Sequence, residues 1–278
     1  MEKKFPLRYI FLALLTVPVM VIASLLGAGA GKLVFIFSGS VTAGNLAAAV
    51  MYPIATLAGL WALCRYGLRA NLPAYRITVP RFEPVWCAAA VLMPVLVCGV
   101  YLLLPGHWAI PERQESVGNI IAVMILYVGI AAGIVEEAVF RGVLMTALER
   151  RWGRTAAVMI PSVLFGVLHI LDNDLDAASA IQLLIAGTMV GVLFSLVTLE
   201  TGSIWSSALI HGVWNSAILG VLHIGPEAYR WSLFSYVPES GSFWLTGGDF
   251  GVEASVVSVI VYALFAALAL VRLRRKIQ

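Results

Sequence analysis

Glu136, Glu137 and Arg141 stand inside the run GIVEEAVFRG, Gly133 to Gly142, with IIAVMILYVGIAA before it and VLMTAL after it. Each charged side chain at the centre of a membrane-spanning helix costs about 2.5–3.5 kcal/mol to insert, so two acids and a base in such a run need a reason. Strong polar groups recur in two later apolar runs: His169 in FGVLH, and His211 with Asn215 in HGVWN. A carboxylate and an imidazole can take a proton from water. Imidazole and amide N–H groups can meet the negative charge that develops on a carbonyl oxygen. Together these are the parts of a hydrolytic site.

The helical period sorts them. Glu136 and Glu137 are about 100° apart and need not serve one purpose. Glu137 and Arg141 are four apart, on one face, in the favourable acid-first order, which reads as a structural ion pair. Arg141 cannot easily serve both acids, so Glu136 is left as a proton acceptor. Phe165 with His169, and His211 with Asn215, are also four apart and share a face. Taken singly, His169 reads equally well as a core histidine, and His211–Asn215 as interhelical glue. The constellation is harder to explain structurally than any one member.

The elements that must position these groups are membrane helices. The chain has 278 residues, 61% hydrophobic and 12% charged, against about 25% charged in soluble domains. This composition predicts a single all-α membrane domain over 1–278, multi-pass, with a polar cavity and no nucleic-acid role. Apolar runs predict about eight spans, near 8–28, 44–64, 85–104, 118–148, 155–170, 181–199, 203–222 and 253–272. The basic amino-terminal run imitates a secretory signal but is too long in its apolar part, and reads as an uncleaved first helix. Lys3, Lys4, Arg8, then Arg65, Arg69, Arg76 and Arg81, then Arg150, Arg151 and Arg154, and finally Arg272, Arg274, Arg275 and Lys276 fall in alternate connections. The intervening loops hold only Lys32, Arg113 and Arg230. By the positive-inside rule both termini are cytoplasmic, in a cell membrane, and the span count is even. Measured from the cytoplasmic helix ends at 1.5 Å per residue, Glu136 lies about 18 Å in, His169 about 21 Å, His211 about 14 Å and Asn215 about 20 Å. Three helices thus bring polar groups to one level.

Other features read as structural. Cys64, Cys87 and Cys98 lack metal-ligand spacing and read as small hydrophobes. Trp86, Trp108, Trp152 and Trp205 read as interface-belt residues. His107 and His223 fall at outer helix ends, and 223–252 is too polar to span and reads as an outer loop. Asp172, Asp174 and Asp176 alternate as in a calcium loop, but the Gly at the sixth position and the Glu at the twelfth are missing.

EEAVFR (Glu136–Arg141) resembles the EExxxR motif of the CAAX protease and bacteriocin-processing family, also called the Abi family; FGVLH resembles its FxxxH motif and HGVWN its HxxxN motif. Order and spacing agree over 118–222, which would be the catalytic core. The resemblance implies an intramembrane glutamate-type endopeptidase acting on a membrane protein or a lipidated peptide, as family members trim prenylated CAAX proteins. It implies that Glu136 and His169 activate a water and that His211 and Asn215 form an oxyanion hole. Glu137 and Arg141 would then hold the site, with Phe165 lining it. No cofactor is implied. A zinc enzyme with Glu136, His169 and His211 as ligands is the rival within the class. A proton-coupled transporter or an idle scaffold is the rival outside it; against the transporter, the sequence shows no repeat and no pair of interrupted helices.

Overall fold

The computed structural model describes residues 5–171 and 173–277; Lys3, Lys4 and Asp172, used above, lie outside them. Helix α1 (Leu7–Ser38) turns back at Gly39 into α2 (Val41–Gly67), and α3 (Pro84–Leu102) follows. A single helical run, Val117–Leu171, then divides at Gly153, whose φ of 83° no helix contains, into α4 (117–152) and α5 (154–171). Next come α6 (Ala177–Thr201), α7 (Trp205–Asn215, continued as a π-helix over Ser216–Val221) and α8 (Val256–Ile277). Large apolar side chains such as Phe11, Leu25, Phe37, Ile54, Leu92 and Leu264 cover the outside of these helices, as lipid contact requires.

The protein is a helical multi-pass membrane protein, with two departures from the reading above. Among the described residues six helical runs reach the length and hydropathy of a span, against about eight expected. The expected 118–148 and 155–170 spans are parts of one run of 55 residues, and the expected 203–222 span is α-helical for only 11 residues. The fold is also not purely α. Strands β1 (Gly106–Ala109), β2 (Leu222–Ile224) and β3 (Phe234–Pro238) form a sheet in the order β1-β3-β2, β1 antiparallel and β2 parallel to β3. His107 and His223 stand on its strands. This sheet ties the connections after α3 and α7 together at one end of the bundle.

The arginine-rich connections gather at the other end. Arg76 pairs with Glu149 and donates to Thr146 Oγ1 at 2.8 Å, while Arg150 donates to the Ala74 carbonyl at 2.6 Å. Lys276 and Arg272 of α8 reach Glu200 at the end of α6 at 2.9 and 3.2 Å. Trp86 is fully buried and donates to the same Glu200 at 2.8 Å, so it is a packing residue and not a belt residue. Trp205 likewise donates to the Thr78 carbonyl at 2.6 Å. Cys64 is buried, Cys87 and Cys98 are partly buried, and all three are free thiols.

What sets the site is how closely α4 approaches α7. A Cβ on Gly133 would lie 2.9 Å from Gly212 N and 3.0 Å from Ala208 O, closer than real contacts allow. The two backbones touch there because neither helix has a side chain between them, at Gly212, one residue after His211, and at Gly133, three before Glu136. Gly133→Ala should therefore push α4 and α7 apart, lower stability by about 1–3 kcal/mol and reduce any activity of the site. Gly99→Ala in α3, where a Cβ meets nothing within 4 Å, should be neutral in the same thermal-melting and activity measurements.

Candidate active site

Glu136 and Glu137 end a short α-helical stretch, Ala132–Glu137, flanked by π-helical turns over Ile121–Ala131 and Ala138–Leu144. Such turns are rare overall and frequent at functional sites. The two glutamates go different ways. Glu137 is fully buried and its Oε1 accepts from Arg141 Nη1 at 2.9 Å and from His211 Nδ1 at 3.3 Å. Glu136 is about one-fifth exposed; its Oε2 lies 3.9 Å from His211 Nε2 and has no hydrogen-bond partner among the described residues.

Arg141 is wholly buried, and aromatic faces surround the guanidinium where hydrogen bonds do not. Its Cζ lies 4.6 Å from the Phe165 ring centre, 5.3 Å from Phe194 and 5.7 Å from Phe140. A desolvated cation gains about 2 kcal/mol from one such face. Phe194 also stacks on His211 at 4.9 Å and 17°, which fixes the plane of the imidazole. Phe165 lies against both histidines, 4.4 Å from His169 and 5.8 Å from His211.

Carbonyl and carboxylate oxygens only accept, and this orients both imidazoles. His169 Nδ1 sits 2.8 Å from the Phe165 carbonyl, so Nδ1 carries the hydrogen and Nε2 holds the free lone pair. His211 donates from Nδ1 to Glu137, which turns its Nε2 toward Glu136. Asn215 donates one Nδ2 hydrogen to the Val128 carbonyl at 3.1 Å and keeps a second.

A cavity of about 240 Å³ is lined by Glu136, Phe165, His169, His211 and Asn215, with mostly apolar neighbours from α4, α6 and α7. All of the polar residues singled out from the sequence converge on it or, for Glu137 and Arg141, stand directly behind it. Among the described residues no group of three His, Cys, Asp or Glu side chains is placed to hold one metal ion.

Among the lining residues that escaped the sequence reading are Phe194, Trp214, Phe250 and Glu253. Trp214 sits inside the HGVWN stretch and was visible only as an apolar position. Phe250 and Glu253 come from the supposed outer loop. The carboxyl of Glu253 accepts from Trp214 Nε1 at 2.9 Å, and burial pushes it above the usual carboxylate range against the pull of that bond and of His169 and His211. An acid at the threshold of the last apolar run was its only sequence signal.

Comparison with known families bears on this segment. Residues 118–217 match the model of the family described as type II CAAX prenyl endopeptidase Rce1-like. This agrees with the family that the three motifs resemble, and Glu136, His169, His211 and Asn215 all fall within the match. Searches of curated proteins and of solved structures return no match.

The buried pair makes a sharp prediction. Glu137→Ala leaves Arg141 uncompensated, which should cost roughly 3–5 kcal/mol and reduce accumulation. Glu137→Leu combined with Arg141→Met removes both charges and should melt nearer to wild type than either single variant, while His211 still lacks its partner and activity stays lost. Thermal midpoints in detergent beside an activity assay check both halves.

Proposed function

We propose that this protein is an intramembrane endopeptidase in which Glu136 and His169 activate a water and His211 with Asn215 receives the oxyanion. The observation that carries this reading is the convergence of all four side chains on one cavity inside an apolar bundle. The Rce1-like match over 118–217 supports the reaction class. The chain then crosses the membrane eight times, α4 and α5 being separate spans and α7 with its π-helical extension a short one. The arginine-rich end faces the cytoplasm by the positive-inside rule. Phe250 and Glu253 wall the cavity on the sheet side, which leaves access from the cytoplasm or laterally from lipid.

The hydrogen-bond roles support the division of labour. A water about 2.8 Å from both Glu136 Oε2 and His211 Nε2 fits their separation of 3.9 Å without strain. Glu136 takes a proton from that water as its oxygen bonds the substrate carbonyl carbon. His169 Nε2, the free acceptor, holds the water's other hydrogen. The carbonyl oxygen becomes an oxyanion and meets the second Asn215 N–H; because the Nδ1 hydrogen of His211 is engaged by Glu137, His211 Nε2 joins as a donor only in the imidazolium form. When the intermediate collapses, the C–N bond breaks and the proton on Glu136 passes to the leaving nitrogen. Donors held in place before the reaction cost no reorganisation during it.

Substrates of this reading are membrane proteins or lipid-modified peptides, which an apolar cavity inside a bilayer suits. A zinc version would need Glu136, His169 and His211 to converge on one ion. A quenched-fluorescence farnesylated CAAX peptide, incubated with the purified chain in detergent, tests the proposal. Glu136→Gln should lower turnover about 10²–10⁴-fold without lowering the thermal midpoint. Asn215→Ala should lower it about 10²–10³-fold. The active protein should carry far less than one metal per chain by elemental analysis. Stoichiometric zinc with an Asn215→Ala variant of normal rate would overturn the mechanism, and no cleavage by wild type would overturn the choice of substrate.

A further inference from the structure

Glu253 is a second acid in the cavity beside Glu136, and none of the chemical roles above uses it. It reaches that position because the segment 247–254 is folded as a strap. Gly247 has a φ of 82°, and a Cβ there would lie 1.8 Å from the Gly251 carbonyl, so the turn admits glycine alone. Asp249 ties the strap to α6: its N–H donates to Ser179 Oγ at 3.0 Å and its Oδ2 accepts from Asp176 N at 3.1 Å. Ser258 and Tyr262 of α8 hold the far side, donating to the Val252 carbonyl at 2.6 Å and to the Glu253 carbonyl at 3.1 Å. Both walls of the turn are thus fixed, and Phe250 and Glu253 project into the cavity between them, Phe250 at 6.4 Å from His169.

The carboxyl itself is half engaged. Oε1 accepts from Trp214 Nε1, the residue next to Asn215, while the side chain lines the cavity and Oε2 makes no hydrogen bond among the described residues. No Lys or Arg of the described residues pairs with it, and its titratable neighbours include His169 and His211, which line the same cavity. A polar group so placed in an apolar chamber is costly unless something that enters the chamber satisfies it. The remainder of the lining offers a guest chain few other polar contacts. An extended peptide lying across His169 and Asn215 carries backbone N–H groups on either side of its scissile carbonyl.

We propose that Glu253 is a substrate-binding residue whose free carboxyl oxygen accepts a hydrogen bond from a backbone N–H of the bound peptide, fixing its register against Asn215 and His169. The inference rests on the protease reading for the kind of guest but on the strap for its geometry. Trp214 then keeps Oε1 occupied so that Oε2 alone is offered.

Equilibrium binding separates the two ideas. The probe is a fluorescein-labelled farnesylated CAAX peptide, and binding is read by anisotropy on the full chain carrying Glu136→Gln, with and without a change at Glu253. Glu253→Ala should weaken binding about tenfold, the worth of one hydrogen bond to a buried group. Glu253→Met keeps the volume and removes the acceptor, so it carries the same comparison if the alanine variant does not fold. A set of peptides methylated at one backbone nitrogen each supplies a readout that a merely structural role would not move. One methylation should weaken binding to the Glu136→Gln protein about tenfold and leave binding to the Glu253 variant unchanged. Equal losses in both proteins at every position, or no binding at all, would overturn the inference. If this pattern holds while wild type fails to cleave the unmodified peptide, the protease reading falls and the binding site stands. If wild type cleaves and the pattern is absent, the role of Glu253 falls alone.

Discussion

One oxygen, Glu137 Oε1, accepts from Arg141 at 2.9 Å and from His211 at 3.3 Å, and the arrangement of the site depends on it. Arg141 belongs to the same helix and His211 to another, so the acid converts a local ion pair into a cross-link between α4 and α7. Burying three such groups is unfavourable unless each has a complement, and the complements here are mixed. The carboxylate answers one edge of the guanidinium, and the rings of Phe140, Phe165 and Phe194 answer its faces. Phe165 and Phe194 then touch the histidines as well, so the packing that shields the charge also sets the imidazole planes. Charge burial and site geometry are one problem with one solution.

The adjacency of Glu136 and Glu137 follows from the same constraint. Neighbouring positions on a helix point about 100° apart, so one acid can face the interhelical contact while the next faces the cavity. A spacing of three or four would have placed both carboxylates beside Arg141 and left the cavity without an acceptor. Close contact at Gly133 is what lets a side chain as short as glutamate reach across to His211. A larger residue there would separate the helices by more than the 3.3 Å bond tolerates.

How much of this could be read beforehand depends on the range of the physics involved. Spacing of four along EEAVFR, FGVLH and HGVWN is local, and it located the buried pair together with Phe165, His169, His211 and Asn215 of the cavity lining. Apolar length is also local, and it placed the long helices to within a few residues except for α1, which runs ten residues beyond the expected 28. The break at Gly153 lies in the polar stretch RWGR, where a turn was expected, yet helix continues on both sides of it. The π-helical turns left no trace, because α and π windings bury much the same residues. Trp86 was misassigned because its fate is set by Glu200, more than a hundred residues away. The sheet and the strap escaped for the same reason: polar loops declare that they do not span, not what they fold against.

On the protease reading proposed above, the strap bears on what the cavity would select. With only Glu136, His169, His211 and Asn215, the chamber would hold polar groups concentrated around one reacting carbonyl and apolar walls elsewhere. Such a chamber can bind grease but has little means to set which peptide bond lies at the water. A fixed acceptor beside Trp214, next in sequence to Asn215, adds a second point of reference along the guest chain. Two points define a direction, and a peptide has one direction in which a carbonyl meets the oxyanion donors while an N–H meets Glu253. Tying that second point to a loop rather than to a spanning helix leaves it free to differ without disturbing the Glu137 cross-link. On that reading the chemistry would be carried by the helices that share the Glu137 cross-link, and the choice of guest by the strap.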